Sequence, residues 1–168
     1  TPCGTLFPYT TLFRSLDAET TYVFEGNVHS TGDTLRWAVE NLGLAADLTE
    51  ATSRAYEVES SEGVYIVPGF GGLGAPYWDN DARAIICGIS RGTDRRHILR
   101  AALDSIAHQV TDVVEAMGVG VDVSTLSADG GPTRNRALMQ LQADLMNETV
   151  LTSEIEELSA LGSAFLGG

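Results

Sequence analysis

Apolar residues recur along this chain at the spacings typical of helices and strands. The longest such pattern runs from Asp94 to Met117, where every third or fourth position is apolar, as on one face of an α-helix. Thr93 or Asp94 can cap the start of this predicted helix, and Gly118 and Gly120 can end it. Its predicted buried stripe consists of Ile98, Ala102, Ile106, Val110, Val113 and Met117.

Shorter apolar runs predict the other elements and, through their order, an α/β fold with helices packed on a sheet. Strands are expected at Thr20–Gly26, Val64–Val67, Ala84–Ile89, Leu126–Ala128 and Thr149–Thr152. Helices are expected at Asp33–Leu44, just after a Thr49 cap, at Pro132–Met146 and at Ser159–Leu166. The apolar faces of the first and third of these helices consist of Leu35, Val39, Leu42, Leu138, Leu141 and Leu145.

Residues 1–15 do not continue the periodicity of the chain that follows. Thr5–Ser15 resembles the conceptual translation of a sequencing-adapter oligonucleotide, and the stretch lacks the layout of a signal peptide. We therefore predict that residues 1–15 are non-native and that the folded domain comprises residues 16–168. The alternative is a natural β-hairpin, because Tyr9, Leu12 and Phe13 would suit a strand.

The charge of the chain narrows the classes of partner. Asp and Glu number 23 against 10 basic residues, all of them arginine, which gives a formal net charge of −13. So acidic a surface repels phosphate backbones, and we expect no nucleic-acid partner. The chain has no apolar run of about 18 residues, so no membrane partner is expected. Cys87 lies in an apolar run and is expected to be an inert core thiol in a reducing, cytoplasmic compartment.

The first candidate binding segment is DGGPTRN, Asp129–Asn135, between a predicted strand and a predicted helix. Glycines such as Gly131 let a ligand approach the backbone where a Cβ would clash, and a helix N-terminus attracts phosphate. Asn135 could offer a donor and an acceptor to a base edge or a ribose. The alternative is a tight turn, capped by Asp129, without any ligand.

A second glycine stands at another predicted helix entrance. Gly32 precedes Asp33 and Thr34, either of which could cap that helix, and its lack of a side chain would allow a ligand close approach. A capped helix without a ligand is the alternative here. Trp37, on the same helix, is expected to be a core residue rather than a stacking platform.

A glycine-rich loop spans Pro68–Asp81. Because ordering glycines costs much backbone entropy, such a loop is more typical of a cleft wall or a hinge than of a plain connection. Tyr77 and Trp78 are expected to anchor this loop, and Asp81 and Arg83 to form an ion pair. The three histidines are too scattered to share a metal ion. Walker-A, nucleophile-elbow and HExxH motifs do not occur, which disfavours hydrolase and metalloprotease functions.

Taken together, these segments resemble the C-terminal domain of the FGGY family of carbohydrate kinases. The resemblance covers about residues 20–168 and is most specific in GVYIVPGFGGLGAPYWDNDARAIICGISRGT, residues 63–93, where the chain is most similar to the glycerol kinases of that family. The other matching segments are YVFEGNVHSTGDTLRW, DGGPTRNRALMQLQADLMN and ELSALGSAFLGG.

The resemblance implies an actin-like ATPase (ribonuclease H-like) fold, with a mixed sheet flanked by helices and with ATP and Mg²⁺ held between two domains. Gly32, Gly131 and Asn135 match positions of the family that contact the nucleotide. Arg36 falls where the glycerol kinases usually have glutamine, which changes the shape and charge of that contact. The family's catalytic base and most of its polyol contacts belong to a preceding segment, so no catalytic residue and no metal ligand is assigned to this chain.

The implied function is ATP-dependent phosphorylation of a polyol, with glycerol as the expected substrate and glycerol 3-phosphate as the product. This chain would be the ATP-binding half, inactive alone and dependent on the N-terminal domain of the same enzyme. The whole enzyme is expected to be a cytoplasmic homo-oligomer. Two alternatives stay open: a kinase for another polyol or ketose, and a non-catalytic actin-like module that binds a nucleotide.

Overall fold

The computed structural model describes residues 9–14, 20–25, 28–118, 124–128 and 130–153, and the predicted helix at Ser159–Leu166 lies outside them. The other predicted elements are present. The helices are α1 (Gly32–Glu40), α2 (Leu48–Ala55), α3 (Arg95–Met117) and α4 (Arg136–Met146), with a 3₁₀ turn at Gly131–Arg134. The strands are β1 (Tyr9–Arg14), β2 (Thr20–Glu25), β3 (Tyr65–Val67), β4 (Ile85–Cys87), β5 (Thr125–Ala128) and β6 (Thr149–Thr152).

Hydrogen bonds join the described strands in three pairs of mixed direction. β1 with β2 and β3 with β4 are antiparallel, whereas β5 with β6 is parallel. The parallel pair is connected through the 3₁₀ turn and α4, because neighbouring parallel strands need a crossover. β1 lies within residues 1–15 and pairs with β2, which lies outside them. Both the non-native origin of residues 1–15 and its alternative, a natural hairpin, stay predictions.

Helix α3 is the centre of the described part of the chain. It packs against α1, α2, α4 and β3. Its buried surface includes the predicted Ala102 and Ile106 but is wider than the predicted stripe, because Leu99 and Leu103 are buried as well. A helix covered by three other helices and a strand needs apolar residues on more than one face.

Two helix ends differ from the prediction. Helix α1 stops at Glu40, earlier than predicted, and Leu42 is 42% exposed instead of buried. The chain turns away at Gly43, whose φ of +63° lies in the left-handed region that favours glycine. Helix α2 is capped by Asp47 and not by Thr49, because the Asp47 carboxylate accepts a 2.8 Å hydrogen bond from the backbone of the first turn.

The strand pair β3–β4 has one buried face and one exposed face. Ile66 is buried, whereas Tyr65, Val67 and Ile85 on the alternate positions are exposed. Cys87 pairs with Tyr65 in the ladder and is exposed with it. The prediction of a core thiol at Cys87 is therefore wrong, because the two-residue alternation of a strand places this position on the outward face.

Candidate functional site

One cleft collects the four residues predicted to contact a nucleotide. Gly32 and Arg36 line it from α1, and Gly131 and Asn135 line it from the 3₁₀ turn and the start of α4. Residues of α3 line it as well, and its volume is about 1030 Å³. The two glycine-bearing helix entrances, distant in the sequence, thus open into the same space.

Gly32 and Gly131 leave room that the fold itself does not use. A Cβ added at either residue would meet no atom within 4 Å, and neither has a left-handed φ. Gly130, in contrast, has a φ of +88°, where an L side chain is strained. The backbone therefore requires glycine at position 130 only, and the open space at the other two positions fits a ligand lying close to the main chain.

Asn135 is the N-cap of α4 and not a residue of its first turn, because residues 131–134 form a separate 3₁₀ turn. Its Oδ1 accepts hydrogen bonds from the Leu138 N–H at 3.0 Å and from the Tyr56 hydroxyl at 3.2 Å. The acceptor that we predicted for a ligand is thus engaged within the fold. The Nδ2 amide of Asn135 is the group left to donate to a ligand.

Tyr56 is a residue of the cleft that local sequence patterns do not reveal, since its hydrogen-bond partner is 79 positions away. It is half-buried at the end of α2, and the guanidinium carbon of Arg100 lies 5.3 Å from its ring centroid. Burial raises the pKa of the Tyr56 hydroxyl above its ordinary value. The hydroxyl therefore keeps its proton at neutral pH and remains a donor to Asn135.

The cleft is positively charged although the chain is strongly acidic. Arg36, Arg134 and Arg136 line it, and none of the described lining residues is Asp or Glu. The formal net charge of the whole chain is −13. An arginine-lined concavity of this kind attracts anionic ligands and suits phosphate in particular.

Helix α1 begins at the edge of this cleft without a side-chain cap. Its N-cap is Thr31, which makes no capping hydrogen bond, so the prediction of a cap at Asp33 or Thr34 is wrong. The other three α-helices in the described part of the chain are each capped by an Asp or Asn side chain. The first-turn N–H groups of α1, at Gly32, thus lack the side-chain acceptor that an N-cap normally supplies.

The glycine-rich loop contributes no residue to the described lining of this cleft and packs on α3 instead. The Tyr77 hydroxyl donates a 2.9 Å hydrogen bond to the Asp112 carboxylate, which confirms that Tyr77 anchors the loop. Arg83 Nη1 donates to the main-chain carbonyl oxygens of Asp81 and Ala82 at 2.9 and 2.8 Å. The predicted ion pair between Asp81 and Arg83 is therefore wrong.

None of the remaining candidates is among the described residues that line the cleft. Trp37 packs against the core and its ring lies 4.9 Å from that of Phe70, which confirms a structural role. Asp129 lies outside the described residues. In the described ranges, no group of three or more His, Cys, Asp or Glu could hold a metal ion. No described helix is long and apolar enough to cross a lipid bilayer.

Comparisons with known proteins show which family this chain is similar to. The model of the FGGY family of carbohydrate kinases, C-terminal domain, matches residues 4–168. Glycerol kinase 1 of Thermotoga maritima is 51% identical over 150 residues, which are 86% of this chain and 30% of that protein. The structure of Plasmodium falciparum glycerol kinase with ADP matches 96% of this chain and 34% of its own, at 34% identity and a TM-score of 0.81.

A ligand-bound xylulose kinase from Lactobacillus acidophilus has the same fold, with a TM-score of 0.81 at 23% identity over 94% of this chain and 32% of its own. These matches confirm the predicted fold class, an actin-like ATPase C-terminal domain. The chain spans about a third of the length of these relatives. Because the family model matches nearly all of it, this chain belongs to the FGGY family of carbohydrate kinases.

Proposed function

We propose that this chain is the nucleotide-binding part of an ATP-dependent kinase that phosphorylates a polyol, with glycerol as its substrate. The cleft in which Gly32, Arg36, Gly131 and Asn135 meet carries this proposal. Its arginines, without Asp or Glu among its described lining residues, suit the phosphates of ATP. Similarity to glycerol kinases of Thermotoga maritima and Plasmodium falciparum, the latter solved with ADP, supports the choice of substrate and nucleotide.

The residues of the cleft would bind and orient the nucleotide. The open positions at Gly32 and Gly131 admit a phosphate or ribose close to the backbone, where the N–H groups at the start of α1 can donate. Asn135, held by Leu138 and Tyr56, adds its Nδ2 as a fixed donor. Bound ATP would supply the phosphoryl group to be transferred, and Mg²⁺ would neutralise charge that develops on it.

The general base and the ligands of Mg²⁺ are assigned to the N-terminal domain of the same enzyme. Among the described residues, the cleft lining contains no carboxylate or histidine that could take a proton from a hydroxyl group, and no metal-binding cluster occurs. We therefore propose that the chain alone binds ATP weakly and transfers no phosphoryl group. A cytoplasmic location and homo-oligomerisation of the whole enzyme stay predictions.

Nucleotide binding can be tested on the chain itself by titrating ADP into ¹⁵N-labelled protein and following amide shifts. We expect weak binding with shifts around residues 32–36 and 130–136. Gly131→Val should weaken it, because the new side chain fills the space beside the backbone. The matched control is Gly71→Val at another exposed glycine with open surroundings, which lies outside the cleft. No binding, or equal binding by both variants, would contradict the proposed site.

Phosphoryl transfer can be tested in a chimera in which this chain replaces the matching 150 residues of the Thermotoga maritima glycerol kinase. An active chimera that loses affinity for ATP with Gly131→Val is expected. A folded chimera that binds glycerol but transfers no phosphate would favour the non-catalytic module. Tight ADP binding by the chain alone would contradict the need for the N-terminal domain.

A further inference from the structure

Arg36 lines the cleft from α1, one helical turn after Gly32. It lies on the same face of the helix, about 6 Å further along the helix axis. It is exposed, and within the described part of the chain no hydrogen bond or ion pair engages its guanidinium. A nucleotide whose phosphates and ribose lie at the helix entrances is long enough for its base to reach Arg36.

The nitrogen groups of the cleft side chains are hydrogen-bond donors only. Arginine has five N–H donors and no acceptor, and three arginines line the cleft. Asn135 adds Nδ2, since its Oδ1 already accepts two hydrogen bonds. The Tyr56 hydroxyl donates its proton to that same oxygen. The hydroxyl groups of Thr49, Thr52 and Ser53 also line the cleft and can donate or accept. The arginines are therefore the part of the lining that favours a base with neighbouring acceptors.

The cleft also has apolar and aromatic walls that suit a flat ring. Leu48 is 40% exposed at the cleft, and Tyr56 and Pro132 line it as well. Apolar and aromatic side chains of this kind cover the faces of a purine while its edge remains free for hydrogen bonds. The lining thus combines arginine donors with surfaces that can cover the faces of a base.

We propose that Arg36 reads the O6 and N7 acceptors of guanine, so that the cleft accepts guanine nucleotides at least as well as adenine nucleotides. A guanidinium donates two parallel hydrogen bonds to these adjacent atoms of guanine, whereas adenine presents an amino donor beside N7. The inference rests on the proposed function, because it names the base that the nucleotide cleft accepts. It assigns to Arg36 the role of a specificity-determining residue.

The test compares GDP with ADP in the ¹⁵N titration of the 168-residue chain. GDP should bind wild-type protein at least as tightly as ADP. Arg36→Gln should weaken GDP binding about tenfold, the effect of losing one bidentate base contact, and change ADP binding much less. Arg91→Gln, which removes the same charge at an exposed position outside the cleft, should leave both affinities unchanged.

Three outcomes would overturn the proposal in different ways. If ADP binds and GDP does not, the guanine preference is wrong while the proposed function stands. If Arg36→Gln weakens ADP and GDP equally, Arg36 contacts the phosphates and not the base. If neither nucleotide shifts the resonances of the cleft, the proposed function fails and the role of Arg36 fails with it.

Discussion

The Tyr56 hydroxyl donates a 3.2 Å hydrogen bond to Asn135 Oδ1 and so ties the end of α2 to the start of α4. Both residues line the cleft. The same oxygen accepts the Leu138 N–H at 3.0 Å, so it caps α4 and at the same time joins that helix to the end of α2. This contact therefore holds α2 and α4 together beside the cleft.

Tyr56→Phe should destabilise the chain, because it removes one of the two donors to Asn135 Oδ1. We expect the free energy of unfolding to fall by about 1 kcal/mol, measured by urea denaturation. Tyr65→Phe is the control, since Tyr65 is 55% exposed, and its effect should stay within about 0.5 kcal/mol. Equal losses in the two variants would show that the link between α2 and α4 contributes no stability.

Gly88→Ala should be strongly destabilising, because two main-chain segments meet at this position. Gly88 has a φ of +78°, and an added Cβ would overlap the carbonyl oxygen of Gly63. We expect a loss of about 2 kcal/mol or more in urea denaturation, with a lower soluble yield. Gly92→Ala is the control, since its Cβ would lie 3.8 Å from Ser90 Oγ. A Gly88→Ala protein as stable as Gly92→Ala would contradict this packing.

Asp94→Asn should remove a contribution to stability that is present at neutral pH and lost in acid. The hydrogen bonds and charge of Arg96, whose Nη2 lies 2.6 Å from Asp94 Oδ2, hold the pKa of the Asp94 carboxyl well below its usual range. A carboxyl whose pKa is lower in the folded than in the unfolded state stabilises the fold at pH values above its unfolded pKa of about 4. This stabilisation is lost as the pH falls towards the pKa of the folded state. Wild-type protein should therefore have the higher Tm at neutral pH, and the difference should shrink below about pH 4.

The control for Asp94 is Asp81→Asn, since the Asp81 carboxylate makes no hydrogen bond in the described structure. Its difference from wild type in thermal unfolding should be small at neutral pH. If the difference for Asp94→Asn were flat between neutral and acid pH, the ion pair with Arg96 would not contribute to folding.

Arg136→Gln should weaken binding of ADP by about threefold, because it removes a cation at the first residue of α4 within the cleft. Adenosine carries no phosphate, so its affinity should not change. Added salt should weaken ADP binding to the wild-type chain more than to the variant, as expected for a screened charge contact. An equal loss for adenosine and ADP would mean that Arg136 contacts the nucleoside instead.

Local chemistry explains which features could be predicted from the sequence. The spacing of apolar residues over 94–117 and the Asp94 cap are properties of neighbouring residues, and the structure confirms both. The exposure of Cys87 depends on which face of β3–β4 packs on the core, which its apolar neighbours do not reveal. The role of Tyr56 depends on a residue 79 positions away. Contacts made only in the folded chain escape such local patterns.

The arginines of the cleft have a consequence for the rest of the surface. Because the chain as a whole carries a formal charge of −13, a long polyanion that touches the cleft must also run across repelling carboxylates. An anion small enough to lie wholly between the two walls avoids that penalty. We therefore expect the charge pattern to favour compact phosphate esters over polymers built from the same chemical units.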